Sequence, residues 1–112
     1  MNHMDNFIQH ISMRLRALQL NNCINLTSPK LNRSILIEKC ETGFNVYENG
    51  VNTKTFKKVL FQELTPLLRV LIKIEFSADP RIKVSTLKSK DEKPEEKTEA
   101  PTSNDVEENS EE

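Results

Sequence analysis

The chain has 112 residues and a formal net charge of −1, with two glycines, two cysteines and two histidines. Its length suits one domain, and no run approaches the 18 or so consecutive apolar residues of a transmembrane helix. The near-neutral total hides an asymmetry: residues 1–90 hold fourteen of the sixteen Lys and Arg and seven of the seventeen Asp and Glu, a net +7, whereas residues 91–112 hold ten acids and two lysines, a net −8.

The first segment reads as a helix over residues 5–20. Met4, Phe7, Ile8, Ile11, Leu15 and Leu18 recur at spacings of three and four, with Asp5 as N-cap and Asn21-Asn22 as the stop. Such a stripe faces a core by default, and the same spacing also suits pairing with a second copy through Met4–Leu18. The polar stretch 21–33 reads as a loop.

Ser34–Cys40 and Phe44–Glu48 are short runs rich in β-formers, joined by Glu41-Thr42-Gly43. Gly43 can take a positive φ, so the pair reads as a β-hairpin. Ile35 and Ile37 share a face of its first strand; Phe44 and Val46 share a face of its second, with Tyr47 on the opposite face. A second helix is expected over residues 53–65, with Phe56, Val59, Leu60 and Leu64 as its apolar face and Thr65-Pro66 as its end.

Beyond Pro66 the apolar period changes to two. Leu68, Val70, Ile72, Ile74 and Phe76 alternate with Leu67, Arg69, Leu71, Lys73 and Glu75, and Ile82, Val84 and Thr86 alternate with Arg81, Lys83 and Ser85 around a turn at 77–80. This pattern predicts a second hairpin; the competing reading is one helix kinked at Pro66. The expected fold is α+β, two helices packed on one face of a mainly antiparallel four-stranded sheet, in the order helix–hairpin–helix–hairpin. Residues 1–88 form a small basic domain in this reading. Residues 89–112 have almost no apolar side chains and two prolines, and are expected to be a disordered acidic tail.

Chemistry-bearing motifs are few. His3 and His10 are seven apart, too far for a chelating helical pair; Cys23 and Cys40 fit no zinc pattern and are expected as reduced thiols. There is no phosphate-binding glycine loop, and the glutamates show no obvious pairing, so neither an enzyme nor a cofactor nor a metal is expected. The opening residues lack the basic stretch and apolar core of a secretory leader, which suggests an intracellular protein, cytoplasmic or nuclear.

The basic residues point instead to a polyanion. Lys54, Lys57 and Lys58 crowd the start of the expected second helix, where free amides and the helix dipole favour an anion. Arg69, Lys73, Arg81 and Lys83 would line one face of the second hairpin, continued by Lys88 and Lys90, and Tyr47 offers a ring for a base to stack on. The expected function is non-catalytic nucleic-acid binding, to DNA or RNA, governed by phosphates and low in sequence specificity. The acidic tail would compete for the basic surface. The alternative is a protein-interaction module or assembly subunit whose first helix pairs with another chain and whose tail recruits a basic partner protein.

Overall fold

The computed structural model describes residues 3–78 and 81–90, and every element follows from how its apolar positions are spaced. Helix α1, His3–Arg16, buries Ile8, Ile11 and Leu15, with Met4 and Phe7 partly buried on the same stripe and Leu18 just beyond its end. Four strands follow as a meander: β1 Cys23–Thr27, β2 Ser34–Cys40, β3 Gly43–Asn49 and β4 Thr53–Val59. Helix α2, Phe61–Phe76, then crosses the sheet to β5, Lys83–Leu87. The sheet is antiparallel throughout, in the order β4-β3-β2-β1-β5, so β4 and β5 are its two edges.

Both helices pack on one face of this sheet. Ile24 and Leu26 of β1, Ile35 and Ile37 of β2, and Phe44 and Val46 of β3 point into the core, where they meet Leu64, Leu68, Leu71, Ile72 and Phe76 of α2. Ser12 and Thr65 hydrogen-bond through their hydroxyls at 2.9 Å, and Arg69 pairs with Asp5 at 2.6 Å, so the two helices run antiparallel. Arg14 reaches Thr86 on β5, while α2 lies over β2 and β3. The Met4–Leu18 stripe is thus largely taken up by the chain's own core.

The α+β class, the two helices on one face and the β2–β3 hairpin match the expectation. Gly43 takes a φ of +155°, and a Cβ there would strike the Val59 carbonyl. Three expectations are corrected. The sheet has five strands rather than four, because Cys23–Thr27, expected as loop, pairs with both β2 and β5. Residues 53–59, expected as the start of a helix, form the edge strand β4, which is paired along β3 with a bulge. Residues 67–76, expected as a strand of a second hairpin, belong to α2, so the order is not helix–hairpin–helix–hairpin.

Pro66 lies inside α2 rather than ending it. Leu64, Leu68, Leu71, Ile72 and Phe76 recur at helical spacing and are all buried, and burying side chains of this size is worth roughly 1.5–3 kcal/mol each. That outweighs the roughly 3 kcal/mol a proline costs a helix interior. Seven of the ten positions from 67 to 76 are apolar, so a period of two fitted by coincidence. Arg69 and Lys73, four apart, mark the helix's polar side. The tail expected at 89–112 lies, from residue 91 onward, outside the described residues. Among those described, no helix is long and apolar enough to cross a membrane.

Candidate polyanion-binding surface

Strand β4 is the most exposed element of the sheet. Thr53, Lys54, Thr55, Lys57 and Lys58 are exposed, and only Phe56 and Val59 pack inward. Its outer side has no neighbouring strand among the described residues, and edges of this kind are commonly protected by lysines and bulges. Both devices are present. The register shifts opposite Asn45, Lys58 adopts φ 60°, and the Lys58 amide donates to Asn45 Oδ1 at 3.1 Å.

The helix-free face of the sheet continues inward from this edge. Tyr47 of β3 pairs with Thr55 of β4, and its hydroxyl donates to Glu38 Oε1 at 3.0 Å. Asn45 Nδ2 donates to the same oxygen at 3.2 Å. Burial raises the Tyr47 pKa, and the hydrogen bond to Glu38 and its charge raise it further, so the ring stays a neutral phenol. The Lys90 ammonium lies 5.8 Å from the centre of that ring, which brings the end of the described chain back over β3.

A pair of buried glutamates holds the turn that presents β4. Glu48, on the inward face of β3, and Glu75, on the buried stripe of α2, are 2% and 0% exposed. Glu75 Oε1 accepts the Val51 amide at 2.8 Å and Oε2 the Asn52 amide at 3.2 Å. Arg33 donates to the Glu75 carbonyl at 3.0 Å and stands 4.0 Å from its carboxylate. The turn fits only because residue 50 is glycine: a Cβ there would collide with Glu75 Oε1 and Arg33 Cγ.

The two carboxyls divide their protonation. Burial alone would raise Glu75, but the hydrogen bond from Glu48, the amides of Val51 and Asn52, and Arg33 together hold it below the ordinary value. Glu48 is pushed up to about 7, first by burial and then by the Glu75 hydrogen bond and charge; Asn52 and Lys54 pull weakly the other way. The Glu48 oxygens meet no donor in strict hydrogen-bond geometry, although its proton is what the Glu75 carboxylate would accept. Two buried carboxylates side by side cannot both ionise, and the proton stays on Glu48. Glu48 is therefore the acid and Glu75 the carboxylate.

The eight residues singled out from the sequence divide into two groups. Lys54, Lys57, Lys58 and Tyr47 lie on β4 and the adjoining strand β3, though not on one face: Lys54 stands opposite Glu48 on the helix side and Tyr47 opposite Thr55 on the other. Arg69 is engaged with Asp5 on α2, Lys73 is exposed near the end of α2, Arg81 precedes β5, and Lys83 lies on β5 itself. The two edges are four strand spacings apart, roughly 19 Å at about 4.8 Å each. The continuous strip expected along one hairpin face does not form, since half of it is helical, and the three lysines do not sit at a helix N-terminus. Asn45, Glu38 and the Glu48–Glu75 pair went unnoticed in the sequence. A signal existed for the pair: Glu48 continues the inward alternation of Phe44 and Val46, and Glu75 falls on the buried stripe of α2. Compared with known proteins, the chain matches no protein-family model, no curated protein and no solved structure.

Proposed function

We propose that the protein is a small non-catalytic nucleic-acid-binding protein that meets phosphates along the edge strand β4, with Tyr47 and Lys90 beside it. One observation carries this reading: Lys54, Lys57 and Lys58 stand exposed within five residues of an unpaired edge, and none has an ion-pair partner among the described residues. Surfaces of this kind attract DNA or RNA through phosphate charge and read little sequence. The acidic segment 91–112 is a tethered competitor for the same lysines, lowering non-specific affinity and speeding release.

The test compares the full chain with residues 1–90 on immobilised single- and double-stranded nucleic acid at two salt concentrations. Retention that falls with salt and rises on truncation supports the reading. Absence of binding by both forms moves the assignment to a protein-interaction module, a reading favoured by Val51 and Leu60, exposed apolar residues flanking β4.

A further inference from the structure

The β3–β4 hairpin ends in a tip, residues 49–54, that stands clear of the core: Asn49, Gly50, Val51, Thr53 and Lys54 are exposed and Asn52 is half-buried. Glu75 ties this tip to α2. One oxygen of its carboxylate accepts the Val51 amide at 2.8 Å and the other the Asn52 amide at 3.2 Å. Gly50 lies so close to Glu75 that a methyl group on it would overlap the carboxylate.

A second acid borders the tie. Glu48 points from β3 into the same interface, 2% exposed, and neither of its oxygens receives a hydrogen bond in strict geometry among the described residues. Its strand partners are Ile35 on β2, which does not titrate, and the exposed Lys54 on β4. Glu75 faces it from α2. Arg33, at the entry to β2, is turned to Glu75 instead, donating to its backbone carbonyl and standing 4.0 Å from its carboxylate. Lys54 and Asn52 favour the ionised form of Glu48 only weakly. A proton on Glu48 bridges the two acids; without it two carboxylates confront one another where water is excluded.

Relief comes most easily at the tip. Leu68, Leu71 and Ile72 anchor α2, and Phe44 and Val46 anchor β3, all in the core. The tip has little buried apolar area, and segments of that kind open locally while the core stays closed. Opening gives both carboxylates water.

We propose that Glu48 and Glu75 form a proton-operated latch: the proton on Glu48 clamps the hairpin tip to α2, and its loss frees residues 49–54 to open, Lys54 and the start of β4 with them, while the rest of the sheet and both helices stay folded. The latch belongs to the hairpin and α2 and does not rest on nucleic-acid binding. Its sign follows from linkage. Glu48 ionises at its ordinary 4.5 in the open tip and at about 7 in the closed one. The closed form is therefore fully favoured below the first value, loses ground up to the second and changes no further above it. Glu75, held below its ordinary value, acts only at more acid pH.

Amide exchange in the full-length protein is followed by nuclear magnetic resonance from pH 4.5 to 8.5, at several urea concentrations below the unfolding transition. Each rate is corrected for intrinsic exchange at the same pH. Protection at Val51 and Asn52 is expected to fall about tenfold per pH unit between about pH 5 and 7 and then to level off. It should depend little on urea, since a local opening exposes little surface. Ile37 in the sheet and Leu68 in α2 should stay better protected and respond to urea as the whole fold does. In Glu48→Gln the tip should keep its acid-pH protection at every pH. Equal urea dependence at the tip and at Ile37 and Leu68 overturns the proposal, because the tip then opens only with the whole molecule. So does tip protection that is constant between pH 5 and 7, or a slope that survives in Glu48→Gln. If that variant does not fold, the wild-type pH and urea profiles decide alone.

Discussion

Replacing Glu48 by Gln should make the protein more stable at mildly alkaline pH and remove most of its pH dependence. The native Glu48 carboxyl holds its proton up to about pH 7, against an ordinary value of 4.5. Between those values the unfolded chain ionises while the native state keeps its proton, so stability falls as pH rises and is lowest once the native pKa is passed. At about 1.36 kcal/mol per pH unit the full effect is about 3 kcal/mol. Asn52 and Lys54 favour the ionised form, and the interaction with the Glu75 charge spreads the titration, so about 2–3 kcal/mol is the expected span. Glu75 acts in the opposite direction: its lowered pKa supplies stability above the ordinary value that is lost as the solution is acidified below it.

In Glu48→Gln the side-chain amide keeps the shape of the protonated acid and can donate to Glu75 without ever ionising. Thermal melts of both forms should nearly coincide at about pH 4, below the ordinary value of 4.5. At about pH 8 the variant should melt roughly 10–20 °C higher, taking about 4–8 °C per kcal/mol for a domain this size. Parallel pH profiles for the two forms would refute the argument, because Glu48 would then ionise alike in the folded and unfolded chains. A variant less stable throughout the range would show that Glu48 is held as a carboxylate by a partner.

Gly50→Ala should destabilise the protein by about 1–3 kcal/mol in urea unfolding, since the added methyl collides with Glu75 and Arg33. Pro66→Ala should stabilise α2 by up to about 3 kcal/mol by restoring a backbone donor, and an unchanged unfolding midpoint would contradict that. Changing Lys54, Lys57 and Lys58 together to Gln should reduce the salt slope of nucleic-acid binding by about 0.7–0.9 for each phosphate no longer neutralised, with the melting temperature little altered. The same variant should self-associate more readily in sedimentation, because the edge loses its charge. An unchanged slope in a folded triple variant would remove β4 from the binding surface.

The sequence by itself determined which segments are apolar and with what local period where one period dominates. The stripe from Met4 to Leu15 has spacings only a helix brings to one side, and Ile35, Ile37, Phe44 and Val46 alternate across a turn that needs Gly43. Those elements were legible because local pattern and tertiary burial agree. Residues 67–76 were not legible in this way, since seven apolar residues in ten suit either period. Packing of Leu64, Leu68, Leu71, Ile72 and Phe76 on the sheet decided for a helix, against Pro66. Thr53–Val59 has only Phe56 and Val59 to bury; the neighbouring strand β3, more than its own propensity, makes it β4. Cys23–Thr27 likewise becomes a strand because β2 and β5 supply partners on both sides.

The same division holds for the candidate site. The charge of Lys54, Lys57 and Lys58 was visible in the sequence, but their separation from Arg69, Lys73, Arg81 and Lys83 followed from strand order and from α2. Glu48 and Glu75 are 27 positions apart, and no local pattern brings two such distant carboxyls together. Only the tertiary structure decided it, by placing α2 against β3 so that one buried acid must keep the proton the other gives up.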